Sequence, residues 1–132
     1  MNLANYSNDK LEQSKAYVPF WPNGELMDAK IFIKSMRSTE VMKMVDEINK
    51  RSNQGSKSIE RQINNDIDLC CAVVDEIDGF TIEPDDNTFD FELNGNKVIS
   101  NKKNIRLLMQ NFLFLRQQIG AKVQDDSFFY ED

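Results

Sequence analysis

The residues of this chain that could do chemistry are mostly carboxylates, and they crowd one region. Asp75, Glu76 and Asp78 stand together, and Glu83, Asp85, Asp86, Asn87 and Asp90 follow closely. Paired carboxylates can work as general acid and base or hold a hard cation such as calcium. Asp85 and Asn87 match the first two ligand positions of an EF-hand loop, but Phe89 takes the third and no glycine follows, so the register fails. The chain has no histidine, which removes the commonest general base, and no serine or cysteine sits in a nucleophile motif. Cys70 and Cys71 are adjacent on a predicted helix where successive side chains diverge, so they are read as reduced thiols. Without a third thiol or an imidazole they do not make a zinc site. The glycines are isolated, and none opens a helix after a strand in phosphate-loop spacing. The expectation is a protein with no catalytic residues, metal or cofactor: a binding protein and not an enzyme.

The elements that must position a binding surface follow from periodicity. Ile59, Ile63, Ile67, Cys71, Val74 and Ile77 lie at steps of three and four, one face of a helix over about 58–78 that ends at Asp78-Gly79. Ile105, Leu108, Met109, Phe112, Leu115 and Ile119 repeat that pattern, predicting a helix over about 101–124 that starts near Ser100 and runs through Gly120. Val41, Met44, Val45 and Ile48, preceded by Ser38-Thr39 as a hydroxyl cap, predict a helix over about 39–50. Ala29, Ile31 and Ile33 alternate as a short strand, although Phe32 interrupts its polar side. Phe89, Phe91 and Leu93 alternate with acids before Asn94-Gly95, and Val98 and Ile99 follow, which reads as a small β-hairpin near 88–99. Pro84 to Asn87 reads as a turn, and the apolar-free stretch from Asn49 to Ser58 as a mobile connection. The fold class is therefore α+β, mainly α: three helices, a short N-terminal strand and a hairpin. Residues 1–27 read as a loosely held arm with an aromatic loop, and residues 28–132 as one mainly helical domain with an acidic, aromatic tail.

Composition limits the partners. With 132 residues, 40% hydrophobic and 29% charged, the chain can bury a core without staples. A net charge of −6 repels a phosphate backbone, and Lys97, Lys102, Lys103 and Arg106 form too short a basic run to reverse that, so nucleic acid is not expected. No apolar run approaches the roughly 20 residues needed to span a bilayer, and the first residues lack a signal peptide's apolar core. A cytoplasmic protein without membrane contact is expected. The residues most suited to a protein partner are large and apolar: Phe20 and Trp21 in the proline-bounded loop, Phe112 and Leu115 on the last helix, and Phe128, Phe129 and Tyr130 in the tail. Core packing is the weightier role for the loop aromatics and the one favoured for the tail.

Taken in order, DAKIFIKSMRSTEV, SIERQINNDIDLCCAVVDEIDGF and NIRLLMQNFLFLRQQIGAKVQDDSFF resemble the tail assembly chaperones of long-tailed, lambda-like bacteriophages. The features that carry the resemblance are a short strand leading into a helix and an apolar helix ending in an acid-acid-Gly turn, here Val73-Val74-Asp75 through Gly79. A last helix with an apolar-Arg-x-x-apolar pattern follows, here Leu115-Arg116-Gln117-Gln118-Ile119, and then Phe128. The likeness covers roughly residues 28 to 129 and rests on apolar positions with a few polar anchors. It implies a protein of the infected host's cytoplasm, absent from the mature virion, that binds the long helical tape measure protein and keeps it soluble until tail tube subunits polymerise around it. It also implies a longer form, made by ribosomal frameshifting, that recruits the tail tube protein. Self-association into a spiral or ring around the client suits that role. A different class of function is an acidic regulator or inhibitor that mimics charge through Asp75 to Asp90 and the tail.

Overall fold

The computed structural model describes residues 2–52, 58–83, 88–92 and 95–131, the side chain of Ser52 excepted. The turn at Pro84 to Asn87, most of the connection before Ser58, and Leu93-Asn94 of the expected hairpin lie outside the described residues. The fold is α+β and mainly α, with a small antiparallel sheet in the order β1 (Lys15–Tyr17), β2 (Lys30–Ile33), β3 (Val74–Asp78). A 3-10 turn, Leu3–Tyr6, and a short helix α1 (Asp9–Glu12) precede the sheet. Two long helices, α2 (Thr39–Ser52) and α3 (Ile59–Val73), connect β2 to β3, and α4 (Lys102–Asn111), α5 (Leu113–Lys122) and α6 (Asp126–Tyr130) complete the chain. No helix among the described residues is long and apolar enough to cross a membrane.

The core lies between one face of the sheet and the helices. Ile31 and Ile33 of β2 are fully buried, and Val74 and Ile77 of β3 stand beside them. Val41, Val73, Met109, Leu115, Ile119 and Val123 fill the helical side. On the opposite sheet face Phe32 remains half-buried between Ala16 and Glu76, which explains its place in an otherwise polar register. Ile33 faces Val74 while Phe32 faces Glu76, so Asp75 is the extra residue of a β-bulge and points its carboxylate outward.

Several expected boundaries shift, each for a physical reason. The helix read over 58–78 stops at Val73, and its last five residues become β3. Val74 and Ile77 are buried either way, but only an extended chain satisfies the backbone of β2 on its second side. Gly79, with φ +85°, therefore ends a strand and not a helix.

The helix read over 101–124 divides at Phe112, whose φ −127° and ψ 82° leave the helical region. Phe112, Leu113, Phe114 and Leu115 are consecutive, and four successive residues of one straight helix point all around its axis. The break redirects them, burying Leu115 fully and Phe112 and Phe114 partly. Arg116, itself buried, donates from Nη1 to the Met109 carbonyl at 2.8 Å, taking up a group near the end of α4. Its Nε lies 2.8 Å from the Asp66 carboxylate, an ion pair whose alignment is too poor for a hydrogen bond. α5 does run through Gly120, as expected, and ends at Lys122.

Helix caps also come from unexpected places. Ser58 caps α3 as read from the sequence, its Oγ accepting from the Arg61 N–H at 3.1 Å. The N-terminus of α2 is capped not by Ser38 but by Glu12 of the arm, whose carboxylate accepts from the Thr39 N–H at 3.0 Å and from its hydroxyl at 2.7 Å. α4 is capped by Asn101, and Ser100 instead accepts from the Ile77 N–H at 3.0 Å, tying β3 to the helix start.

The expected hairpin near 88–99 is reduced to single bridges: Phe91 pairs Val98, and Thr81 pairs Lys97. The buried side chain of Asn104 adds to the hold on that region through bonds to Asp90 and Ile99. Residues 1–27, read as a loose arm, contribute β1, the buried Leu11, the buried Pro19 and the Glu12 cap. The acidic aromatic tail folds back onto this arm. Phe128 and Phe129 are buried with ring centroids 5.0 Å apart, Phe128 meets Tyr17 edge-on at 6.2 Å, and Tyr130 meets Tyr6 at 5.5 Å. Lys15 donates to the carbonyls of Phe128 and Glu131 at the C-terminal end of α6.

Candidate partner-binding site

The aromatic loop between β1 and β2 is a tight, pinned hairpin. Phe20 bridges Leu26, the Trp21 N–H donates to the Glu25 carbonyl at 2.7 Å, and the Gly24 N–H donates back to the Trp21 carbonyl at 2.8 Å. That turn needs a left-handed residue, and Gly24 at φ +91° supplies it. Pro19 is fully buried beneath, so the loop is anchored at its base.

Gln118 of α5 fastens the loop to the helices. Its Oε1 accepts from the Phe20 N–H at 2.8 Å and from the Tyr17 hydroxyl at 3.0 Å, while its Nε2 donates to the carbonyls of Phe20 at 2.8 Å and Phe114 at 3.1 Å. Burial raises the Tyr17 phenol above its ordinary value, keeping it a donor well into alkaline conditions. Gln118→Ala is expected to lower stability by about 2 kcal/mol, since it deletes several neutral hydrogen bonds and strands part-buried partners. Emission of Trp21, the single tryptophan, should shift to the red as the loop lifts from α5, with helical circular dichroism unchanged. An unshifted emission maximum would show that the loop is held by other means.

Held this way, Trp21 stacks on Phe114 with centroids 6.4 Å apart and planes 25° from parallel, and Phe114 meets Phe112 edge-on. Behind Trp21 opens an apolar cleft of about 90 Å³ between the loop, the segment after Gly79 and α4–α5, lined by Trp21, Met27, Phe80, Ile82, Phe112 and Leu115 among others. Trp21 is 47% exposed and its neighbour Phe20 43%, an amount of uncovered aromatic surface that a core role does not account for.

Among the residues singled out from sequence, Trp21, Phe112 and Leu115 come together in this cleft, with Phe20 on its shoulder. Leu115 forms its buried floor. Phe128, Phe129 and Tyr130 are elsewhere, packed against the N-terminal arm. Phe114 and Gln118 were not singled out. The unbroken run from Phe112 to Leu115 was a usable signal for Phe114, but nothing in sequence distinguishes Gln118 from its neighbour Gln117.

Among the further grooves are two with apolar side chains in their lining. One of about 530 Å³ is lined by Met36, Met42, Val45, Ile48 and Leu69, so three of the four stripe residues of α2 are only partly covered, Val41 alone being buried. The other, about 720 Å³, lies between α2, α3 and α4 and contains Met44, Cys71 and Ile105 beside charged side chains. There burial raises the Asp68 carboxyl, but hydrogen bonds from Arg51 at 2.7 Å and Arg106 at 2.8 Å outweigh it and hold it below its ordinary value. At the start of α3, Ile59 and Ile63 are exposed.

The groups with chemical potential are dispersed or disarmed. Burial pushes the Cys70 thiol up to about 12, and Cys71 is raised as well, so neither is a thiolate at neutral pH. Asp75, Glu76 and Asp78 face solvent along β3, and Asp90 is engaged by Lys103 and Asn101 at 3.0 Å each. Among the described residues no cluster of three or more His, Cys, Asp or Glu side chains is placed to hold a metal. The arrangement is an apolar cleft between the aromatic loop and α4–α5, fastened by Gln118. No protein-family model, no curated protein and no solved structure matches the chain.

Proposed function

We propose that this protein is a tail assembly chaperone of a long-tailed, lambda-like bacteriophage. In this reading it binds the tape measure protein in the host cytoplasm, keeps it soluble, promotes tail tube assembly and is absent from the mature virion. The observation that carries the reading is the aromatic cleft: Trp21 stands about half exposed beside a preformed apolar cavity, on elements pinned by Gln118. Such a surface receives large apolar side chains from one face of a partner helix, and it needs no reacting group. The order of strand, helices and apolar anchors over residues 28 to 129 supports the same reading. Exposed Ile59, Ile63 and Leu113 are available for contacts between copies along one client, and a longer frameshifted form would add the contact to the tail tube protein.

The test is co-expression with a tape measure protein. The soluble yield of that client is expected to rise several-fold with this protein and to fall back with Trp21→Ala, a variant whose exposed site lets it fold. If the client stays insoluble beside the wild-type chain, the proposal falls. An acidic regulator acting by charge mimicry, the competing class, draws support from the solvent-facing Asp75, Glu76 and Asp78. Its partner would bind the Trp21→Ala variant as well as the wild type.

A further inference from the structure

We infer that the aromatic loop is a lid on the cleft, latched by Gln118, and that a ring-sized anchor of the partner enters when the lid lifts. This deepens the proposed function by naming what controls entry, and it rests on the assignment of the cleft as the docking site.

The basis is a mismatch of size. The cleft holds about 90 Å³. An apolar cavity that accepts a single benzene ring is on the order of 150 Å³, so with the loop in place the cleft is too small for a phenylalanine side chain. One wall must therefore move, and most of them are fixed. Met27, Phe80, Val98, Leu108 and Leu115 are buried in the core. The Val98 N–H donates to the Phe80 carbonyl at 2.8 Å and the Ile82 N–H to the Asn96 carbonyl at 3.1 Å, which ties the segment after Gly79 in place. Trp21 is the wall with least to lose, since every residue from Phe20 to Leu26 is already exposed.

The loop is also built to move as one piece. The bonds between Trp21, Gly24 and Glu25 and the Phe20–Leu26 bridge lie within its tip and survive a swing of the whole. Its base stays in place, because Pro19 and Met27 are buried and the Met27 N–H donates to the Pro19 carbonyl at 2.9 Å. The tip is held to the helices by the Trp21–Phe114 stack and by Gln118, whose amide accepts from the Phe20 N–H and donates to the Phe20 carbonyl, each at 2.8 Å. These are neutral bonds at an exposed edge, where water replaces a broken partner. A closed majority lowers apparent affinity in proportion to the open fraction, so loosening the latch tightens binding even as it lowers stability. That opposite movement separates a lid from a merely structural clasp.

The experiment uses the full chain and two synthetic helical peptides of about 18 residues, roughly five turns. Both share flanking leucines and a neutral glutamine face; one carries a single central phenylalanine and the other alanine in its place. Binding is read from the anisotropy of a fluorophore on the peptide, and folding of each variant from circular dichroism. Gln118→Ala is expected to bind the phenylalanine peptide about tenfold more tightly than the wild type does. Tyr17→Phe keeps its ring and removes the hydroxyl that orients the Gln118 amide, and should gain about threefold. The alanine peptide should gain from neither. Should Gln118→Ala not fold, Tyr17→Phe decides alone. Folded variants that bind the phenylalanine peptide no more tightly than the wild type overturn the inference. So does an equal gain for the alanine peptide, which would place the effect on surface outside the cleft. The outcomes separate from those of the proposed function: a client solubilised by the wild type, with no gain in peptide binding by either variant, sinks the lid and keeps the chaperone. Gains in both variants without client solubilisation do the reverse.

Discussion

Replacing Asn104 with alanine is expected to destabilise the protein by about 3 kcal/mol, the largest effect we expect from a polar residue. Asn104 is fully buried. Its Oδ1 accepts from the Asp90 N–H at 2.9 Å, and its Nδ2 donates to the carbonyls of Asp90 at 2.9 Å and Ile99 at 2.8 Å. One side chain thus reinforces the short ladder between the segments around Asp90 and Ile99, where the Ile99 N–H donates to the Asp90 carbonyl and the Glu92 N–H to the Lys97 carbonyl, each at 3.1 Å, across the Phe91–Val98 bridge. Alanine leaves a buried N–H and parts of two carbonyls without their partner, and each stranded group costs about 1–3 kcal/mol. Thermal unfolding should fall by on the order of 10 °C for a chain of this size. Hydrogen exchange of the Asp90 amide should accelerate before global unfolding does. Asn104→Asp keeps the acceptor and loses both donations, so it should be no better than alanine. A loss below about 1 kcal/mol for both variants would show that the segment is held without Asn104.

The second large effect belongs to Gly79→Ala, expected to cost about 3 kcal/mol. Gly79 has φ +85°, and a Cβ built there would sit 2.8 Å from the Asp28 carbonyl oxygen and 3.3 Å from the Ala29 Cα. The obstacle is backbone of the central strand's approach, which cannot rotate away as a side chain can. Relief requires Asp28–Ala29 to part from the end of β3, moving Met27 and Phe80 on two walls of the aromatic cleft. Client binding should therefore weaken together with stability. The same substitution at Gly120 is the control: it lies inside α5 with nothing within 4 Å of a built Cβ, so alanine there should stabilise by about 1 kcal/mol. Denaturant midpoints of the two variants should move in opposite directions, and a loss in both would contradict the reading of Gly79.

The two helices flanking the N-terminal half of the core show how much local pattern conveys. The bounds of α2 and the Ser58 cap of α3 were readable because an amphipathic stripe and a capping hydroxyl act within one turn of chain. The stripe of α3 was equally clear, yet its last residues form β3, because burial of Val74 and Ile77 is satisfied by either period and the demand for a partner strand comes from β2, about forty residues upstream. The Glu12 cap, the Lys15 hold on α6 and the Gln118 clasp are likewise long-range bonds that no local window contains.

The candidate site divides in the same way. Sequence by itself determined that this protein has a mainly helical α+β fold with a large apolar core, because periodicity and composition set what must be buried. It also offered Trp21, Phe112 and Leu115 as candidate partner contacts, with core packing the weightier role for the loop aromatics. Only the tertiary structure decided that these three share a cleft while Phe128 and Phe129 join the core, since the break at Phe112 and the clasp by Gln118 bring distant segments together.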